Sequence, residues 1–542
     1  MPLSAQATAK VMARKSTRRD APPRAAKPAK PAKPTSIVAK VKAKAPAGTP
    51  AAKNPTSVPL LVPPVVLAAP KPSMKRPRPE EPAPQPSKRL KPDQSISSPP
   101  SQKLDVFVFG DGESGELGLG PKAIDGNPPV NVERPRLNRL LDAGAVGVVQ
   151  VAVGGMHCIS LTHDQNIYTW GVNDNGALGR DTTWEAPTRD IDGNSDTEEE
   201  DSDLSPKEST PIAVPTDECF GKHAKTYVQV AATDSASFAL ANDGSVYGWG
   251  SFRGNDGVMG FTTADAIDAA KTKMDKKKLQ PRPILIPHLK KIKFLATGSD
   301  HVLALDHKGD VYAWGSGEQN QLGRRIVQRT RFQALTPCRF GLSKISSVSC
   351  GAYHNFAINA KGQVFAWGLN NYGQTGIADG AGEGDACVMK PTLVEALKPY
   401  RIKAISGENH HSIACTEDNE VLIWGRCDDS QAGIKLDTLP KDDVMLDSRG
   451  RPQILMKPTI IPGLRAVSVT AGIDNSIAIT QEGKAYSWGF SDNFRTGLGT
   501  QEAVEAPTFL DNADVKGKRL TFAGCGGQFS VLAGPALLEG DY

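Results

Sequence analysis

The hydrophobic and polar positions of this chain fall into one phrase, repeated seven times. A short apolar strand ends in an aromatic residue and a glycine, and a glycine-rich turn follows. The pairs are Phe109-Gly110, Trp170-Gly171, Trp249-Gly250, Trp314-Gly315, Trp367-Gly368, Trp424-Gly425 and Trp488-Gly489. Six of the seven tryptophans are used this way, and successive pairs lie 53 to 79 residues apart. A second phrase precedes the aromatic strand, as in VAVGGMHCISL (151–161), LATGSDHVLAL (295–305), VSCGAYHNFAI (348–358) and VTAGIDNSIAI (469–479), with weaker copies at 230–240 and 405–415. Polar turns such as Asp243-Gly244, Lys308-Gly309, Lys361-Gly362 and Glu482-Gly483 join the two phrases. Each pair therefore predicts an antiparallel hairpin with alternating buried positions. One hairpin cannot bury both faces, whereas seven packed radially can, so the expected fold is all-β: a seven-bladed β-propeller.

The two ends of the repeat complement each other. Strand 106–110 has no glycine–histidine strand before it, and GGQFSVLAG (526–534) has no tryptophan strand after it. Their pairing would close the ring and leave no long sheet edge open.

Composition divides the chain at about residue 103. Residues 1–103 contain no Phe, Tyr or Trp, 22 of the 42 prolines, and 21 Lys/Arg against 4 Asp/Glu, a net of +17. The whole chain is +5, which leaves residues 104–542 at −12. A segment without aromatics cannot bury enough surface to offset chain entropy, so 1–103 is expected to be a disordered basic tail and 104–542 the propeller. The clusters Lys75-Arg76 and Lys88-Arg89-Leu90-Lys91 have the spacing of a bipartite nuclear import signal, which implies an importin as partner and the nucleus as location. The tail's charge also suits phosphate contacts to DNA. No secretory signal is expected, and the apolar stretch 58–70 is too short and too proline-broken to span a membrane.

Few classes of chemistry survive. The eight cysteines are scattered without CxxC pairs, which argues against zinc or a disulfide framework. No GxxxxGK[ST] or strand-linked GxGxxG occurs, and no cofactor or metal is expected. Two insertions interrupt the repeat. Residues 181–218 carry the acidic run SDTEEEDSD (195–203), and 262–282 read as a short helix or a mobile excursion. Asp190-Ile-Asp192-Gly-Asn194 is no calcium loop, because Ser195 stands where glycine is required.

The full motif, Trp-Gly followed by a turn ending in Gly-x-Leu-Gly, stands in WGVNDNGALG (170–179) and WGSGEQNQLG (314–323). It resembles the regulator of chromosome condensation family over essentially all of 104–542. The founding member is the guanine-nucleotide exchange factor for the small GTPase Ran. The resemblance implies a monomeric, chromatin-bound factor that displaces nucleotide from Ran without covalent chemistry, serving nucleocytoplasmic transport and mitosis. The alternative is a chromatin or ubiquitin-ligase scaffold on the same propeller, without exchange activity.

Three departures from symmetry carry the functional reading. Five repeats span 8 residues from the glycine after the aromatic to the last glycine of the turn, but the third, Gly250 to Gly260, spans 10, and the seventh, Gly489 to Gly499, is also longer. In the family this insert is a β-wedge pressed into the GTPase. The matching residues here are Ser251, Phe252, Arg253, Asn255, Asp256, Gly257, Val258 and Gly260. Next, the resemblance maps exchange residues to Asp234, Asp300 and His411, with His410 as the register alternative. Asp300 is expected at a solvent-facing turn. Last, Arg324, Arg325, Arg329 and Arg331 form a basic loop where the family contacts the core-histone acidic patch of the nucleosome.

Overall fold

The computed structural model describes residues 97–186, 203–215, 225–272 and 279–536. The import signal at Lys75, Arg76, Lys88, Arg89 and Lys91, the 58–70 stretch and most of the acidic run lie outside the described residues. Seven antiparallel sheets follow one another, each a blade. A typical blade runs outward through Ile292–Thr297, His301–Asp306, Val311–Gly315 and Cys338–Arg339. The blade of strands Ile402–Gly407, His411–Thr416 and Glu420–Arg426 is extended by Pro452–Arg465 and Val444–Leu446.

Closure occurs as expected. Strand Leu104–Gly110 pairs antiparallel with Phe529–Pro535, from Leu104 opposite Pro535 to Gly110 opposite Phe529. One blade thus takes its outer strands, Leu104–Gly110 and Val132–Leu137, from one end of the repeat and its inner strands, Phe522–Cys525 and Phe529–Pro535, from the other.

The repeated tryptophans are the packing between blades. Trp170, Trp249, Trp314, Trp367, Trp424 and Trp488 are all buried. Five of them donate Nε1–H to a carbonyl in the turn of the preceding blade: Trp170 to Glu116, Trp249 to Ala177, Trp367 to Gln321, Trp424 to Gln374 and Trp488 to Gln431, at 2.8–3.0 Å. The ring supplies apolar area while its one polar atom is satisfied, which is what a buried tryptophan needs.

The repeat histidines are staples of the same kind. His157 Nε2 lies 2.9 Å from Ser237 Oγ, His301 Nε2 2.7 Å from Asn355 Oδ1, His354 Nε2 2.8 Å from Ser412 Oγ, and His411 Nε2 2.9 Å from Ser476 Oγ. Ser237 and Ser412 give their own protons to the carbonyls of Ala177 and Gln374, so the imidazole Nε2–H is the donor to each. Burial holds these rings neutral, pushing their pKa down to about 4 at His157 and His301 and about 3 at His354 and His411.

The insertion at 262–282 begins as a helix, Thr263–Thr272. Ala266 is buried, and the Thr263 hydroxyl donates to the Phe332 carbonyl at 3.1 Å, so the helix is docked on the next blade's 3-10 segment Gln328–Leu335. No described helix is long and apolar enough to cross a membrane.

Candidate functional site

Strand pairing puts two sets of turns on one face of the ring. His301, the first residue of its strand, lies opposite Gly315, the last of the tryptophan strand. The turn before each repeat histidine and the turn after each Trp-Gly therefore emerge together. Neighbouring pre-histidine turns are tied around the central channel by backbone bonds. Asp234 N–H donates to the Ser299 carbonyl, Ser299 to Ala352, and Ala352 to Glu408.

These turns line a mouth cavity of about 550 Å³ whose walls include Asp234, Asp300, Glu408, Tyr353, Arg253 and Glu318. Asp234 and Asp300 are thus brought together as expected, but Asp300 is half-buried rather than set on an open turn. Burial, then the neighbouring charge of Asp234, pushes its carboxyl up to about 8, against the lowering effect of the Arg253 N–H and guanidinium. Glu408 is half-buried and also raised to about 8, by burial and by Asp234 and Asp474. Asp234 has surface open to the cavity, yet the walls crowding it raise its pKa too, against a hydrogen bond from Ser299 and the charge of Arg253. The Tyr353 phenol is raised by burial and by Asp234, Asp300 and Glu408. The mouth is therefore a set of mutually repelling carboxyl groups held close without a full complement of cations. Perturbed carboxyl groups gathered in one cavity mark it as a candidate binding site.

The insert after Trp249-Gly250 is a two-stranded hairpin, Phe252–Gly254 against Gly257–Gly260, with Asn255 and Asp256 at its tip. Gly257 has φ +95°, a conformation that favours glycine, with open space where a Cβ would be. The tip residues and Arg253 are exposed, and Gly257 and Val258 are half-buried. Two of the expected contact residues are corrected. Ser251 and Phe252 are fully buried, and the Phe252 ring stacks on Phe261 at 5.6 Å and Phe238 at 6.2 Å. They are the root of the hairpin and cannot reach a partner. The apolar requirement of a two-residue insertion, which must be anchored somewhere, explains the aromatic residue there.

His411 is a second correction. It is fully buried and serves as the repeat staple to Ser476. The alternative, His410, occupies the variable position and faces the mouth side, half-buried, with its ring 4.6 Å from that of Tyr372. In the basic loop, Arg325 and Arg329 are exposed. Arg324 is half-buried and held below its usual pKa by burial. It follows Leu-Gly as Arg180 does, and Arg180 is a structural donor to the carbonyls of Thr169 and Lys207. Arg331 is already engaged, with Nη1 2.6 Å from Asp256 Oδ2 at the hairpin tip. Among the described residues no group of His, Cys, Asp and Glu is arranged to hold a metal.

Glu408, Tyr353 and Glu318 are mouth residues that sequence reasoning missed. A signal existed for Glu408. The equivalent turn position, whose N–H closes the turn onto the residue three places on, holds Gly154, Thr233, Gly298, Gly351, Gly472 and Gly526 in the other blades. A carboxylate where five copies have glycine is a departure from symmetry.

Comparison with known proteins accords with the fold. Residues 105–532 match the RCC1-like domain. The chain belongs to the RCC1-like domain family. It is 43% identical to protein pim1 of Schizosaccharomyces pombe over 80% of this chain and 75% of that one. It is 39% identical to guanine nucleotide exchange factor SRM1 of Saccharomyces cerevisiae over 81% and 89%. Among solved RCC1-like structures, Prp20p from Saccharomyces cerevisiae, described with its binding properties to Gsp1p and histones, superposes with a TM-score of 0.70 at 36% identity, over 82% of this chain and 94% of that one. Yeast RCC1 (Prp20) bound to Kap60 gives 0.72 at 36% identity, over 85% and 97%.

Proposed function

We propose that the protein is a nuclear guanine-nucleotide exchange factor for Ran, and that it works by binding alone. The observation that carries the reading is the hairpin 252–260, rooted in the core by Phe252 and standing beside the carboxylate mouth on one face of the ring. A GTPase holds its nucleotide through phosphate-loop amides, a lysine and magnesium. Asp234, Asp300, Glu408 and His410 would orient the GTPase, and the exposed part of the hairpin, Arg253 with Asn255 to Val258, would displace the phosphate and magnesium site. The coupling is reciprocal: whatever the hairpin does to nucleotide affinity, nucleotide does to affinity for the propeller. Direction of exchange follows from the cellular GTP and GDP pools.

A relative named as a guanine nucleotide exchange factor supports exchange, and the yeast structures, one described with binding to Gsp1p and histones and one bound to Kap60, support partners of the kinds assigned here: a GTPase, histones and an importin. The basic tail would tether the propeller to DNA, with Arg325 and Arg329 left as the candidates for the histone acidic patch. The deciding experiment is release of labelled GDP from purified Ran with and without the full-length protein. A release rate unchanged by the protein would leave an RCC1-like propeller acting as a scaffold.

A further inference from the structure

The hairpin is too small to hold its own shape. Its register comprises three pairs, Phe252 with Gly260, Arg253 with Val258 and Gly254 with Gly257, interrupted by a bulge between the first two. Only its base is buried, and an isolated two-stranded ribbon is marginal in water. Yet its first strand and its tip are tied to the next blade. Asp300 Oδ1 accepts the Arg253 N–H at 2.7 Å. Glu318 Oε2 accepts the Asn255 N–H at 2.5 Å. Arg331 Nη1 reaches Asp256 Oδ2 at 2.6 Å. Gly254 fits this arrangement, because a Cβ there would lie 2.9 Å from Glu318 Oε1.

Resting on the exchange reading, we infer that Glu318 and Arg331 are positioning residues for exchange: they clamp the hairpin tip from the neighbouring blade, so that the wedge meets the GTPase already shaped. Glu318 does this through its acceptor oxygen on a backbone N–H, and Arg331 through an ion pair with Asp256. Arg331 is thereby assigned to the exchange face, and its guanidinium is not a free contact for histones. Pre-organisation matters because an unclamped tip must be ordered during displacement, and that ordering is charged against the step. Both ties lie at the surface, one a carboxylate accepting a backbone N–H and the other a solvent-accessible ion pair.

The clamp makes a prediction that a direct contact with the GTPase would not. Full-length protein is assayed for GDP release from Ran across GTPase concentrations. Glu318→Ala should lower kcat by about tenfold with KM changed less than about twofold. Glu318→Gln keeps an acceptor oxygen and should retain most of the rate. Arg331→Ala should cost about threefold, and adding it to Asp256→Ala should cost nothing further, because Arg331 acts only through Asp256. In the free protein, Glu318→Ala should accelerate hydrogen exchange at the Asn255 amide while the melting temperature stays put. The inference is overturned if Glu318→Gln is as impaired as Glu318→Ala, since Glu318 would then act by charge on the partner. Wild-type rates in every variant also overturn it. Should the wild type itself fail to release GDP, the exchange reading falls, and unchanged protection at Asn255 in Glu318→Ala would separately dispose of the clamp.

Discussion

Replacing Asp300 by Asn should make the protein more stable and a worse exchange factor, both in a pH-dependent way. Asn keeps an oxygen to accept the Arg253 N–H and removes the ionisable group. The Asp300 carboxyl has an ordinary pKa of 3.8 and is pushed up to about 8 in the folded protein. A folded-state pKa above the unfolded value means the native state prefers the proton. The contribution to stability is therefore complete below about pH 4 and is lost as pH rises toward 8. At pH 7.5 the gap of nearly four pH units sets a ceiling of about 5 kcal/mol, at about 1.4 kcal/mol per unit. Part of that is repulsion shared with Asp234 and Glu318, and Asn keeps a polar group in the same half-buried place. A gain of about 2 kcal/mol is the working figure at pH 7.5. It corresponds to a rise of a few degrees in a ring of this size.

The assay is paired. Thermal unfolding of the wild type and Asp300→Asn should differ most near pH 8 and converge near pH 4. GDP release should rise with pH through about 8 in the wild type, as the Asp300 charge becomes available to the GTPase, and stay low and flat in the variant. A variant less stable than wild type at pH 7.5, or a stability gap that does not change with pH, would refute the reasoning. In that case the carboxylate would be a satisfied structural group and not one held out of balance for a partner.

Phe252→Ala should cost about 3–5 kcal/mol, as truncating a buried aromatic does. Replacing only Arg253 to Gly257 by a glycine–serine link should leave the melting temperature nearly unchanged and abolish GDP release. His410→Ala should slow exchange at unchanged stability, while His411→Ala should lower the melting temperature by emptying a buried site and leaving Ser476 without its hydrogen-bond partner; equal melting of the two would reverse the register assigned here. Deleting residues 529–542 removes the strand that pairs with Leu104–Gly110 and should abolish cooperative unfolding, read by circular dichroism. Deleting residues 1–96 should leave exchange in solution nearly intact and remove most DNA binding, whose log affinity should fall linearly with log salt.

The propeller was legible because its physics is local and repeated. A tryptophan that must both bury a ring and satisfy Nε1 selects the same turn in each copy, and the copies announce themselves. Closure was legible because each end of the repeat lacked a partner that the other supplied. The mouth was legible only where a residue broke the repeat in an obvious register, as Asp234 and Asp300 do. His411 was misplaced because two histidines stand side by side and only strand register decides between them. One residue of slip exchanges a buried staple for a surface group. Phe252 was misplaced for the opposite reason. An inserted segment reads as wholly functional in one dimension, although it must carry its own anchor into the core.

Glu318 gives no signal by symmetry, and symmetry points Arg331 to a different role, in the basic loop. Glu318 sits in the turn after Trp314, 63 residues from the amide of Asn255 that it holds, and Arg331 is 75 residues from Asp256. Both lie one blade on. That distance is one repeat, and it is the same distance over which the tryptophans and histidines act: Trp249 reaches back 72 residues to Ala177, and His354 forward 58 to Ser412. In this ring the natural partner of a residue is therefore its neighbour one repeat away. The proposed exchange face follows that rule: the hairpin grows from one blade, and the carboxylates and guanidinium that hold it are supplied by the next.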